Sequence, residues 1–234
     1  MIIGIIGATG GIGQRLVREA VGRGHQVIGF TRDPATAKAK GADIVWKAID
    51  ILDADSVRGA IGGLDVLISL YQPGNAANDA EDAVSRAIAD PSVYVTAAKA
   101  LLSALEAHPR TRLIVVGGAG TLEIRPGVTP AESASADLRK MLDRIGLPGD
   151  YEVAVRGHFN AFNVYRLSNR LWTYFSPPAL IYAGERTGRF RLGGDQMVFD
   201  AEGRARISFE DAAIALIDEA EVPRHIQRRF TAGY

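Results

Sequence analysis

The feature that most constrains the fold is a glycine-rich turn near the start of the chain. A short apolar run over residues 2–6 leads into Gly7-Ala8-Thr9-Gly10-Gly11-Ile12-Gly13, and a helix-patterned stretch follows over residues 14–21. This glycine spacing lets the chain turn sharply at the end of a strand and lets a helix pack closely on a sheet. It also leaves backbone N–H groups that can be approached without a side chain intervening. The turn therefore predicts a strand–turn–helix unit of an α/β sheet.

Short runs of Val, Ile and Leu recur along most of the chain and alternate with helix-patterned stretches. Because these runs lack polar alternation, they predict parallel strands buried between helices on both faces. We predict strands over residues 2–6, 26–31, 44–48, 66–69, 113–116, 172–175 and 227–231. The order predicts one domain over residues 1–234 with a Rossmann-like, doubly wound parallel sheet.

Capping signals predict where several helices begin. Asp33 precedes Pro34, Thr129-Pro130-Ala131-Glu132 forms a capping box, and Ser208 opens a helix that runs to Glu221. A further helix is predicted over residues 149–168. The Gly- and Arg-rich stretch over residues 182–205 is the least regular, and we expect a small C-terminal substrate-side lobe over roughly residues 176–207.

The amino-acid composition argues against several classes of binding partner. Lys+Arg and Asp+Glu both total 27, so no net field favours nucleic acid or an anionic membrane. Cysteine is absent, and the four histidines lack a metal-type spacing, so we expect no metal centre. No apolar run reaches the length of a membrane span. We expect a cytoplasmic monomer or homodimer that acts on a small molecule.

The glycine turn predicts a dinucleotide site. The first helical N–H groups and the helix dipole attract a pyrophosphate without requiring a lysine. The alternative is that the glycines only build a tight turn. The predicted cofactor contacts of the turn are Gly7, Thr9, Gly10, Gly11, Ile12 and Gly13.

The end of the second predicted strand favours NADPH over NADH. Sites that prefer NAD carry an acidic residue there, whereas this chain offers Thr31 and Arg32, with Asp33 better suited to capping the next helix. Arg32 can pair with a 2′-phosphate; the alternative is a solvated surface arginine. We therefore predict NADPH as the cofactor, with NADH less favoured.

Other predicted contacts follow the remaining strands, because ligands bind outside the carboxyl ends of parallel strands. Asp50 and Ile51 are expected beside the adenine. The residues expected along the ribose and nicotinamide are Ser69, Leu70, Tyr71, Gly118, Ser176 and Pro177.

Several motifs together resemble the atypical short-chain dehydrogenase/reductase group, specifically its NmrA-like and flavin (biliverdin-IX beta) reductase-like branch. Besides the glycine turn and residues 31–34, they are residues 116–121, residues 172–178 and the tail motifs at 184–188, 207–213 and 228–231. The resemblance spans nearly the whole chain. It implies an NADPH-dependent oxidoreductase that passes hydride to a flavin, a quinone or a related conjugated small molecule.

The chain departs from familiar members of that group, which use a tyrosine and a lysine four residues later as a proton donor. The lysines are Lys38, Lys40, Lys47, Lys99 and Lys140, and the residues four positions earlier are Pro34, Thr36, Asp43, Val95 and Ala136. Ordinary carbonyl reduction is therefore disfavoured. A conjugated acceptor requires less catalytic help from the protein, because its own ring system accepts the charge. Such an acceptor needs chiefly to be positioned against the nicotinamide.

Two residues are candidates for the catalytic end. The resemblance places a histidine at His158, which could protonate or orient the acceptor; the alternative is a buried helix histidine bonded to a neighbour. Thr121 is expected to contact the acceptor rather than transfer a proton. Two other functions stay open: a non-catalytic NADP-sensing regulator, and a sugar-nucleotide epimerase or dehydratase, whose members usually keep the tyrosine/lysine pair.

Overall fold

The computed structural model describes residues 1–40, 44–73 and 80–234. The strands are β1 (Ile2–Ile6), β2 (Gln26–Thr31), β3 (Val45–Ala48), β4 (Val66–Ser69), β5 (Arg112–Val116), β6 (Trp172–Phe175), β7 (Leu180–Tyr182), β8 (Arg191–Gly193), β9 (Arg206–Ser208) and β10 (Arg228–Gly233). The helices are α1 (Gly11–Gly22), α2 (Pro34–Lys40), α3 (Ala54–Ala60), α4 (Ala80–Ala89), α5 (Ser92–Ala107), α6 (Ser135–Arg144), α7 (Glu152–Arg166) and α8 (Phe209–Glu221).

The main sheet has the strand order β3-β2-β1-β4-β5-β6-β10-β8. Every pair in it is parallel except β10 with β8, which is antiparallel. β1 pairs with β2 on one side and with β4 on the other, so the chain reverses its direction of travel across the sheet at β1. In such sheets the crevice at this switch point, beyond the carboxyl ends of the strands, receives the ligand.

Helices cover both faces of the sheet and bury an apolar core on each. On one face Val57 of α3, Leu101 of α5 and Phe162 of α7 are buried together. On the other face Leu16 of α1 packs with Leu216 of α8. The Rossmann-like α/β fold predicted from the sequence is confirmed.

The predicted strands differ from the observed ones in detail. β1, β2, β4 and β6 have the predicted bounds, whereas β3, β5 and β10 begin one residue away from the prediction and β10 runs on to Gly233. The prediction that residues 44–48 are buried was wrong. β3 is an edge strand of the sheet, and Val45 on it is 57% exposed.

The segment predicted as a lobe is partly built into the sheet. β8 adds to the edge of β10, while β7 and β9 form a separate parallel pair. These strands have three residues each, too short to carry a periodic apolar pattern. Backbone pairing with an available edge therefore decides their structure.

All three predicted capping residues accept from backbone N–H groups, but only two of them open an α-helix. Asp33 accepts from the N–H groups of Ala35 and Thr36, and Ser208 accepts from Asp211. Thr129 also caps as predicted, but it opens only a 3-10 turn over Pro130–Glu132, and α6 begins at Ser135.

The prediction of one helix over residues 149–168 was too long. Gly149–Tyr151 form a 3-10 turn, and α7 covers Glu152–Arg166. Pro148 precedes the turn with an extended backbone, which starts the segment outside the α-helical region.

Candidate functional site

The glycine turn adopts a conformation that only glycine tolerates. Gly7 has φ of +84°, in the left-handed region, and its carbonyl accepts from the N–H of Gly10 at 3.0 Å. A Cβ on Gly13 would overlap that same carbonyl oxygen. Any side chain at position 13 must therefore push α1 away from the turn.

The N-terminus of α1 is open to an anion. Gly10 occupies the N-cap position with an extended backbone, no side chain caps the helix, and its first turn holds no acidic residue. The first-turn N–H groups of a helix have no partner within the helix. They and the helix dipole are available to a phosphate, so the turn fits a dinucleotide pyrophosphate.

A cleft of about 290 Å³ lies beside the turn. Its apolar wall includes Phe30, Ile49 and Ile51, all at least nine-tenths buried. The predicted contacts that line it are Gly7, Thr9, Thr31, Arg32, Asp50, Ile51 and Tyr71. An apolar wall with a few convergent polar groups suits a purine and its ribose.

Arg32 lies exposed on this cleft and makes no ion pair with another described residue. Asp33 is occupied with capping α2, and the hydroxyl of Thr36, at 2.6 Å, lowers the pKa of the Asp33 carboxyl. Arg86 also lines the cleft, but its guanidinium pairs with Asp82 at 2.7 Å. Arg32 is therefore the more available cation on the cleft.

Tyr71 joins the cleft to a second, smaller cavity of about 20 Å³. This cavity lies under the carboxyl ends of β4 and β5 and is bordered by Ser69, Tyr94, His158 and Tyr174. Burial raises the pKa values of Tyr71 and Tyr94, so both phenols stay protonated at neutral pH. The residues expected at the adenosine end and at His158 therefore share one continuous wall.

His158 is buried on α7 beside the backbone of Gly118. The Nε2 of Gln72 donates to the His158 Nε2 at 3.0 Å, and the Tyr94 ring lies 4.5 Å from the imidazole centre. Burial lowers the pKa of His158 to about 4. The ring is therefore neutral at physiological pH and can hydrogen-bond without carrying charge.

Thr121 is not open to the cleft, contrary to the contact expected from the sequence. Its hydroxyl donates to the Gly118 carbonyl at 2.8 Å and lies 2.7 Å from the Ser176 hydroxyl, and both residues are fully buried. The 3-10 turn Ala119–Thr121 rotates this side chain inward. Thr121 and Ser176 thus connect the segment after β5 to the segment after β6.

The other predicted contacts described below do not line the adenosine cleft. Ser69 and Leu70 are buried, and the N–H of Leu70 donates to the carbonyl of Ile6. Pro177 is buried behind Ser176. Gly11 faces Phe209, whose ring would lie 2.9 Å from a Cβ there.

Sequence reasoning missed four residues of the site: Gln72, Arg86, Asp90 and Tyr94. Gln72 could have been found, because it directly follows Tyr71 after a predicted strand. The other three lie on α4, on α5 or between them, and the sequence gives no signal that these helices fold over the cleft.

The described residues contain no group of three His, Cys, Asp or Glu residues placed to hold a metal ion. Across residues 1–40, 44–73 and 80–234, no helix combines the length and apolar character of a membrane span.

Comparison with known proteins gives one family and several relatives. A family model described as NAD(P)H-binding matches residues 7–221. "Uncharacterized protein YwnB" of Bacillus subtilis is 32% identical over 233 residues, which cover 99% of this chain and 97% of that protein.

Three solved structures are similar over the whole of this chain. A proposed exported protein from Burkholderia pseudomallei is 37% identical with a TM-score of 0.81 and is covered in full. A proposed epimerase from Bacteroides thetaiotaomicron is 31% identical with a TM-score of 0.79 and 96% coverage. A protein from Streptococcus pneumoniae whose name proposes an NADH-flavin reductase is 25% identical with a TM-score of 0.79 and 99% coverage.

Proposed function

Because the chain belongs to the NAD(P)H-binding family, we propose that it is an NADPH-dependent reductase of flavins, quinones or related conjugated small molecules. The observation that carries the proposal is the uncapped N-terminus of α1 beside a cleft that Arg32 lines. The solved relative named as an NADH-flavin reductase supports the choice of acceptor. We further infer a cytoplasmic location, since such a reductase needs a compartment that regenerates NADPH.

The adenosine half would be held by the cleft and the 2′-phosphate by Arg32. A hydrogen bond to a charged group contributes about 1.5–3 kcal/mol, which is roughly a tenfold to hundredfold preference for NADPH. The pyrophosphate would lie on the first turn of α1, where Gly10 carries no side chain and Gly13 lets the helix pack closely against the turn.

When bound, the nicotinamide would supply the hydride, and the protein's own residues would position the nicotinamide and the acceptor. The backbone of Gly118 lies against the His158 side chain, and the Thr121 hydroxyl, which also contacts Ser176, donates to the Gly118 carbonyl. Neutral His158, fixed by Gln72, would orient an acceptor through a hydrogen bond rather than through charge. Positioning of two planar rings is the main demand of this chemistry.

The test is a steady-state assay that follows NADPH oxidation at 340 nm with FMN, FAD and a panel of quinones. The proposal expects oxidation well above the rate without enzyme for at least one acceptor, with NADPH preferred to NADH. Rates at background with every acceptor would contradict it.

One observation favours a second candidate, an NADP-sensing protein without turnover. The hydroxyl of Thr121 is enclosed and His158 is neutral, so neither provides an evident proton donor at the catalytic end. Tight binding of NADPH combined with background rates across the acceptor panel would favour this alternative over the reductase.

A further inference from the structure

Arg229 is a buried cation that does not line the adenosine cleft. It lies on β10, and its side chain is only 5% exposed. Its guanidinium lies 5.0 Å from the centre of the Phe162 ring on α7. Burying an arginine is costly unless its donors are paired. Its partners therefore indicate what the residue does.

Those partners belong to two segments, one that follows β5 and one that follows β8. Nε and Nη2 of Arg229 donate to the Asp195 carboxylate at 3.0 and 2.6 Å. Nη1 donates to the backbone carbonyl of Thr121. A carboxylate oxygen of Glu123 lies 3.9 Å from Nη2. The guanidinium thus ties the turn after β5 to the segment after β8.

The same two segments also pair through their backbones. The N–H of Glu123 donates to the Asp195 carbonyl at 2.8 Å, and the N–H of Met197 donates to the Glu123 carbonyl at 3.1 Å. This short parallel bridge begins two residues after the turn Ala119–Thr121 and joins it to the segment after β8. Glu123, on one side of this bridge, belongs to the same segment as Gly118.

We propose that Arg229 is a positioning residue that holds the Gly118–Thr121 backbone in place for the nicotinamide half of the dinucleotide. The path from the guanidinium is short: it fixes the Thr121 carbonyl, and the Thr121 hydroxyl in turn fixes the Gly118 carbonyl. Neither Arg229 nor its partners Asp195 and Thr121 line the adenosine cleft. The inference rests on the proposed dinucleotide site and adds a residue that acts on one half of the ligand only.

The test compares a complete dinucleotide with its adenosine half. Binding of NADP⁺ and of 2′,5′-ADP is measured by calorimetry for the wild type and for Arg229→Met. Loss of the guanidinium should weaken NADP⁺ binding at least tenfold and leave 2′,5′-ADP within twofold. Arg228→Met is the matched control, because Arg228 is the exposed neighbour on the same strand, and it should change neither affinity.

Two milder variants keep the test decisive if Arg229→Met does not fold. Arg229→Lys retains the charge but cannot reach Thr121 and Asp195 together, and Asp195→Asn changes a residue that is 65% exposed. Both should weaken NADP⁺ selectively by a few-fold. Equal weakening of both ligands, or no weakening, in the folded variants would overturn the inference. If the wild type binds neither ligand, the proposed function fails instead.

Discussion

Arg32 is the residue on which the choice between the two cofactors depends. It faces the adenosine cleft without an ion pair among the described residues, so its charge is available to a 2′-phosphate. At a hundred times its dissociation constant NADPH should stabilise the protein by about 2.7 kcal/mol, or roughly 5–10 °C for a chain of this size.

We predict that Arg32→Ala lowers NADPH affinity about tenfold, because a charge-assisted hydrogen bond is lost. At the same ligand concentration the stabilisation should fall to about 1.4 kcal/mol, and that by NADH should not change. Thermal unfolding with each dinucleotide measures both. Arg86→Ala is the control, since Arg86 lines the same cleft but is already paired with Asp82. An unchanged gap between the two cofactors in Arg32→Ala would refute the assignment.

His158 gives a pH dependence of stability. Its pKa in the folded state is about 4, below the ordinary 6.5, because burial disfavours the charged ring. Above pH 6.5 the ring is neutral in both states. Between pH 6.5 and 4 the unfolded chain binds the proton more tightly, so stability falls with pH by about 3 kcal/mol in total.

We predict that His158→Gln removes this part of the acid sensitivity. Urea unfolding at several pH values between 7.5 and 4 should give a shallower loss of stability for the variant than for the wild type. Parallel pH profiles for the two proteins would show that His158 is not the titrating group. In the wild type, the reductase rate should show no inflection near pH 6.5 that belongs to His158.

At the scale of single elements, the N-cap of α8 is the clearest stability determinant. Ser208 accepts from the N–H of Asp211, donates to the Glu185 carbonyl and accepts from the Tyr234 hydroxyl, all while 1% exposed. Removing the hydroxyl takes a partner from three polar groups, of which the Asp211 N–H is buried.

Ser208→Ala should therefore cost about 2 kcal/mol of unfolding free energy, at the upper end for an N-cap. Asp53→Ala, at the exposed N-cap of α3, provides the comparison and should cost at most about 1 kcal/mol. Chemical denaturation of the two variants measures the difference. A loss at position 208 no larger than that at position 53 would contradict the role given to the buried contacts.

Elements whose cause is local could be predicted, and the others could not. β4 and β6 are continuous apolar runs, and α2 and α8 have side-chain caps, so their sequences specify them directly. β8 exists because β10 offers an unpaired edge, a cause far away in the sequence. The capping motif that opens the 3-10 turn Pro130–Glu132 is the same one that opens α-helices. The motif alone therefore could not decide which of the two would follow it.

At the scale of the whole molecule, the two ends of the site differ in how far they could be predicted. The adenosine end is built from residues that directly follow β1, β2 and β3, and strand order alone brings these together. The catalytic end combines Gln72, Tyr94 and His158 from three separate segments. Which side chains meet there depends on the packing of α5 against α7, which no local pattern encodes.

Calorimetric titration can show whether the open N-terminus of α1 binds a dinucleotide pyrophosphate. The wild type should bind NADPH with one site per chain, and a folded Gly13→Ala variant should bind at least tenfold more weakly, because the new Cβ would collide with the Gly7 carbonyl. Gly22→Ala, at the far end of the same helix and in open space, should bind like the wild type. If the wild type gives no binding heat with reduced or oxidised dinucleotides, or if Gly13→Ala binds with unchanged affinity, the account is contradicted.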